Sequence, residues 1–111
     1  MALHRQIAFK NVKTAAAQAS DPISVPNFGV PFFIGIEASD GHYKVQGRIN
    51  EGTWLDLGVG LPDGNYVQEI TTVPAIVSVY WQVSEIRILT SSMATGTPKA
   101  TFLGLSQTER V

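Results

Sequence analysis

The chain has 111 residues, enough for one domain and too few for two. Apolar residues make up 44% and charged ones 15%, well below the roughly 25% charged of an ordinary soluble domain. Part of the surface is therefore expected to lie against other protein, either copies of the chain or a larger partner. Eight basic and nine acidic residues sum to −1, which leaves no electrostatic footprint for nucleic acid and no basic helix for a membrane surface. The absence of cysteine excludes a disulfide framework, a thiolate nucleophile and a cysteine-based zinc site.

The first 29 residues differ from the rest. "HRQIAFKNVK" (residues 4–13) reads as one short strand with Ile7 and Phe9 on one face. "TAAAQAS" (14–20) contains an Ala-x-Ala pattern like a signal-peptidase site. The apolar stretch before it is cut short by Lys10, Asn11 and Lys13, so no signal peptide is expected. "DPISVPNFG" (21–29) reads as extended, turn-rich chain because of Pro22, Pro26 and Gly29. The segment fits either a first strand with its loop or an arm that reaches a neighbouring subunit. It is set apart as an N-terminal strand or arm, 1–29, from a β-sandwich domain over 30–111.

The stretch "VPFFIGIEASDGHYKVQGRI" (30–49) predicts a hairpin about Asp40-Gly41, since Asp-Gly supplies the positive φ angles of a type I′ turn. That register sets Ala38 opposite Tyr43, Glu37 opposite Lys44 and Ile36 opposite Val45. One face then carries Phe32, Ile34, Ile36, Ala38, Tyr43, Val45, Gly47 and Ile49; the other carries Glu37, Lys44, Gln46 and Arg48. "NEG" (50–52) is a second reversal before a short strand over 53–57. Pro62-Asp63-Gly64 marks a third turn, and 66–70 a further strand. In "AIVSVYWQVSEIRILTSS" (75–92), Val77, Val79, Trp81 and Val83 share one parity, whereas Ile86 and Ile88 take the other. The switch at Ser84-Glu85 predicts a bulge, a bend, or a crossing from one sheet to the other. The last strand, 99–107, places Ala100, Phe102 and Gly104 on one face and Leu103 and Leu105 on the other. Nowhere do apolar residues hold the helical i, i+3, i+4, i+7 pattern for a dozen residues, and no apolar run approaches the ~20 residues of a membrane span. The expectation is an all-β, antiparallel β-sandwich, jelly-roll-like or immunoglobulin-like, of about seven or eight short strands with an extended N-terminal arm.

The catalytic inventory is thin. His4 and His42 have no metal-ligand spacing around them, and no G-x-S-x-G elbow exists. "GVGLPDG" (58–64) lacks the Lys-Ser/Thr of a phosphate loop, and Asp56 and Asp63 lack the dense oxygen spacing of a calcium loop. No enzymatic activity, metal or cofactor is expected. The aromatics Trp54, Trp81, Tyr43, Tyr66 and Tyr80 suit either a sugar platform or packing, and packing is favoured because aromatic rings dominate core and interface burial. Trp81 is expected in the core, by its parity with Val77, Val79 and Val83. Tyr80 then points outward as a subunit contact. Trp54 reads as a plug at a sheet end or interface, with a ligand platform as the alternative. Glu85 and Arg87 share a strand face and are expected to form an exposed pair, with a subunit-to-subunit bridge through Arg87 as the alternative.

"YKVQGRINEGTWLDLG" (43–58) followed by "VSEIRILTSSMATGTPKATFLGL" (83–105) resembles the small β-sandwich modules of tailed-bacteriophage virions. In those modules a strand ending in glycine leads into a turn and "tW.dlg", and a later strand reads "v.eiRv.lt" before a Gly/Thr loop and a last strand. The matching positions are Gly47, Gly52, Trp54, Leu57, Ile86, Arg87 and Gly96; residues 1–29 fall outside the pattern. The resemblance implies a virion structural role, usually as a symmetric homo-oligomer, with no catalytic residue to carry over. The expected function is a capsid decoration (cement) protein that binds the major capsid protein or other virion proteins. A homo-oligomer, favoured as a trimer, would match the local three-fold sites of a shell. The expected location is the virion, after synthesis in the host cytoplasm, with no nucleic-acid or membrane partner. Ile7, Phe9, Phe28, Phe33 and Tyr80 are the expected interface residues. A head-fibre or tail component is the structural alternative, and a carbohydrate-binding module using Trp54 is the alternative from another class.

Overall fold

The structure, a computed structural model, describes residues 3–25 and 28–106. Within them the alternating runs form eleven short strands and no helix. They are β1 Leu3–Ala8, β2 Gln18–Ala19, β3 Ile23–Ser24, β4 Phe32–Glu37, β5 His42–Arg48, β6 Leu55–Asp56, β7 Val59–Gly60, β8 Tyr66–Val67, β9 Ala75–Val79, β10 Glu85–Ser92 and β11 Lys99–Ser106. All pairings are antiparallel. One sheet has six strands in the order β1-β11-β4-β9-β7-β8; the other has β2-β10-β5-β6, with β3 also on β10. The count exceeds the expected seven or eight because β2, β3, β6, β7 and β8 are two-residue pieces, too short to leave an alternation in the sequence.

The period-2 alternation decides what lies inside. Phe32, Ile34 and Ile36 of β4, Val77 and Val79 of β9, and Ala100 and Phe102 of β11 point inward from the six-stranded sheet. Tyr43 and Val45 of β5, Ile86 and Ile88 of β10, and Ile23 of β3 meet them from the other sheet. The inner face of the last strand agrees with the expectation. So does the parity switch before Glu85: β9 belongs to one sheet and β10 to the other, and the chain crosses between sheets over residues 80–84.

The expected 40–41 hairpin is corrected. β4 and β5 lie in opposite sheets, so the connection between them is an arch over the sandwich edge. Both apolar rows still face each other, now across the core. A pattern of one apolar face per strand is satisfied equally by neighbours in one sheet and by strands stacked in two, which is why periodicity alone misassigned the pair. Of the two turn residues only Gly41 has a positive φ, 93°, so the type I′ condition is unmet. The arch is tied instead to the loop before β11. Asp40 accepts the Thr95 backbone N–H at 2.9 Å and the Thr95 hydroxyl at 2.7 Å, and the Tyr43 hydroxyl donates to the Asp40 carbonyl at 2.8 Å. Glu37 consequently sits opposite Lys99 of β11. The left-handed pair occurs one reversal later: Asn50 (φ 51°) and Glu51 (φ 63°) turn β5 toward β6, closed by the Gly52 N–H on the Ile49 carbonyl at 3.0 Å. The third turn forms as expected, with the Gly64 N–H on the Leu61 carbonyl at 2.9 Å.

Trp81 is also corrected. It is half exposed, at 52%, because β9 ends at Val79 and the strand parity that would have turned the indole inward stops there. The segment 1–29, as far as it is described, runs along the sandwich itself. β1 pairs with β11 over its whole length, from Leu3↔Ser106 to Ala8↔Thr101. The chain then crosses to the other sheet, where β2 and β3 line β10.

Two stability predictions follow from this packing. Phe9 is 6% exposed and belongs to the core, so Phe9→Ala should cost about 3–5 kcal/mol in a urea titration, whereas Phe33→Ala, on the outer face, should stay within about 0.5 kcal/mol. Gly47 faces inward, and a Cβ there would stand 2.9 Å from Leu57 Cδ1 and 3.1 Å from Val83 Cγ1. Gly47→Ala should therefore overpack the core and lower stability by about 1–3 kcal/mol in the same titration.

Candidate functional site

Once the inner rows are buried, the strands still have an outer row, and on the six-stranded sheet that row is apolar. Phe33 of β4, Leu103 and Leu105 of β11, Ile76 of β9, Tyr80 just beyond it and Tyr66 of β8 are each 38 to 65% exposed. Leu103 lies directly opposite Phe33, and Tyr66 stacks on Tyr80 with centroids 6.1 Å apart. The uncharged Gly35, Ser78 and Thr101 fill positions between them. Glu37 and Lys99 bring charge only at one end of the row. Monomers rarely leave so large an apolar area open to water; such patches mark contact surfaces. The face also has relief. A groove of about 630 Å³ crosses it, lined among others by Gln6, Gly35, Ile76, Thr101, Pro62 and Pro74. Its floor is open at Gly35, where a Cβ would meet nothing within 4 Å.

The outer face of the five-stranded sheet is polar, and its side chains form one continuous network across three strands. Arg48 Nε donates to Glu85 Oε1 at 2.7 Å. Arg87 Nε donates to Gln46 Oε1 at 2.8 Å. Gln46 Nε2 donates to Asp56 Oδ1 at 2.8 Å, and Lys44 Nζ reaches Asp56 Oδ2 at 3.2 Å. Trp54 lies against this ladder with the Arg48 and Arg87 guanidinium carbons 4.5 and 4.3 Å from its ring centroid. Each such cation–π contact contributes about 0.5–1 kcal/mol at a partly exposed site. The expected Glu85–Arg87 pair is thus replaced: Glu85 serves Arg48, its cross-strand neighbour, and Arg87 leans over Gln46 to the tryptophan.

The network sets protonation. The Gln46 amide bond, followed by the Lys44 contacts, holds the Asp56 carboxyl below the usual carboxylate range against partial burial. Asp40 is lowered likewise, first by the Thr95 hydroxyl and then by its N–H. With folded values below unfolded ones, the unfolded chain binds more protons as pH falls, and stability rises with pH through that window. The contribution is complete above the unfolded value and is lost as pH drops through the folded one. The urea midpoint should therefore fall below about pH 4, and Asp56→Asn should flatten part of that fall.

Of the residues expected at an interface, Phe33 and Tyr80 lie on the apolar outer face. Phe9 is core, Ile7 packs against the core, and Phe28 is half buried edge-on to Phe102, with centroids 4.8 Å apart. Trp54, half buried, carries two guanidiniums over its ring, where a sugar platform would offer a free one. Ile76, Tyr66, Leu103 and Leu105 complete the face. Their signal was the second apolar parity of β9 and β11, where both rows of the strand are hydrophobic. Trp81, the other indole, donates to the Gly58 carbonyl at 3.2 Å and borders a cleft of about 410 Å³ with Leu55, Leu57 and Val83. Among the described residues no three His, Asp or Glu side chains cluster as a metal site, and no helix is long and apolar enough to cross a membrane.

No family model matches the chain, and no curated protein matches it in sequence. Among solved structures, the crystal structure of the SPBc2 prophage-derived protein YomS superposes with a TM-score of 0.75, covering 94% of this chain and 96% of that one at 12% sequence identity. The likeness at that identity is one of fold: this chain is an antiparallel β-sandwich of the same architecture as a prophage-derived protein.

Proposed function

We propose that the protein is a structural component of a tailed-bacteriophage virion, specifically a decoration subunit that lies on the major capsid protein shell and reinforces it. The observation that carries this reading is the apolar outer face of the six-stranded sheet, built from Phe33, Ile76, Tyr80, Leu103 and Leu105, with the Gly35 groove at its Glu37 end. A chain with 15% charged residues that sets Phe33, Tyr66, Ile76, Tyr80, Leu103 and Leu105 together on one sheet face is suited to lying against another protein. The prophage origin of a protein with the same fold and the phage-module pattern over residues 43–105 support the context. Docking by a whole sheet face buries surface on a rigid scaffold and needs no moving part. The subunit acts as a homo-oligomer, with a trimer suited to the local three-fold positions of a shell.

The test is co-sedimentation with heads of the encoding phage assembled without this protein. Wild type should sediment with heads, and light scattering should give an oligomer. Phe33→Asp and Gly35→Lys place charge on the face and in its groove at positions with no role in the core, so both should melt close to wild type. Each should lose about tenfold or more of head binding. Wild type that stays in the supernatant, or variants that bind as well as wild type, would overturn the reading. Sedimentation with tails alone would move the protein to the tail.

A further inference from the structure

The second outer face carries a site of its own. Arg48 and Arg87 stand on neighbouring strands in register pairs two residues apart, Arg48↔Glu85 and Gln46↔Arg87, consecutive on the outer face, and both guanidiniums lie over one indole. Their Nε atoms are anchored within the sheet, on Glu85 and on Gln46. Arg48 thus has a carboxylate partner and Arg87 has none among the described residues; the Nη donors of Arg87 meet no acceptor there. Glu85, two residues away on β10, is taken by Arg48, and Asp56 across β5 is kept from Arg87 by Gln46. That amide accepts from Arg87 through its oxygen and donates to Asp56 through its nitrogen, while Lys44 takes the other Asp56 oxygen. Gln46 is itself buried, so this spacing is fixed by the sheet. Lys44, Arg48 and Arg87 share this outer face with Asp56, Glu85 and Glu69, and Glu69 is taken up at the far end by His42 and the Ser91 hydroxyl, so Arg87 is the cation of the ladder left without a carboxylate. Partial burial and the neighbouring Arg48 both weigh against the Arg87 charge and lower its pKa, a cost that an incoming anion would relieve.

We propose that Arg87, with Arg48 beside it on Trp54, forms a binding site for a carboxylate presented by an acidic segment of a partner protein. A planar fork with its Nη edge unoccupied matches the two oxygens of a carboxylate. The anchored Nε atoms and the stacked ring mean that little side-chain freedom is lost on binding. Nucleic acid is a poorer fit, because the chain is acidic overall and its cations here form no phosphate track. The site lies on the opposite side of the sandwich from the apolar face, so the two surfaces can be occupied at once, and neither depends on the other's partner.

Trp81→Phe leaves Trp54 as the one indole, a reporter at the site itself. Its emission is followed while hexaglutamate, inorganic phosphate or sodium chloride is added at matched ionic strength. Hexaglutamate should give a saturable change, and phosphate and chloride none over the same range. Arg87→Gln should raise the dissociation constant about tenfold or more, and Arg87→Lys, which keeps the charge and removes the fork, should weaken binding to a similar degree. Melting curves confirm that each variant is folded, and the lysine variant carries the test should the glutamine variant fail to fold. No saturable response to hexaglutamate, or unchanged affinity in the Arg87 variants, overturns the site. An equal response to phosphate overturns the assignment to carboxylate.

Discussion

The whole arrangement depends on a single layer of side chains shared between two sheets. Phe32, Ile34, Ile36, Val77, Val79 and Phe102 on one side and Tyr43, Val45, Ile86 and Ile88 on the other are almost completely withdrawn from water. Each contributes on the order of 1.5–3 kcal/mol through burial. Because strand residues alternate, that layer claims every second position and leaves the intervening ones outside the core. The outer faces were therefore free to diverge chemically. One became greasy, grooved and almost uncharged; the other became a ladder of amide, carboxylate and guanidinium groups held over a tryptophan.

Much of this was legible in the sequence. The all-β class, the inward rows, the turns at 50–52 and 62–64 and the break before Glu85 all follow from local alternation and turn chemistry, which act over a few residues. Sheet membership did not. Whether β4 and β5 lie side by side or face to face depends on what each hydrogen-bonds with, and those partners are distant: β11 and β9 for one, β10 and β6 for the other. The same limit explains Trp81, where extrapolating strand parity two residues past the end of β9 turned the indole the wrong way. Trp54 was read as a plug at a sheet end or interface. Its environment comes from Arg48 and Arg87, and only pairing in space joins the second of these to it.

The two faces also divide the work between kinds of force. In the proposed docking, contact through Phe33, Ile76 and Leu103 would be driven by water release and short-ranged, and would not be screened by salt. In the proposed carboxylate site, contact through the arginines would be directional, fall with ionic strength and gain from fixed geometry. A subunit that lies on a surface by the first and displays the second outward has a broad foundation and a selective address on opposite sides of one core.

The pairing of β1 with β11 joins residues 3–8 to residues 101–106, so β1 has no ladder until β11 has been made. Local turns can form early, but the six-stranded sheet is complete only once residues 99–106 are available. Such distant closure slows folding and leaves apolar strands open to other chains in the meantime. The same seam brings the two ends of the described chain together at one edge. A gene opened elsewhere and fused at that seam would turn the slowest contact into the most local one.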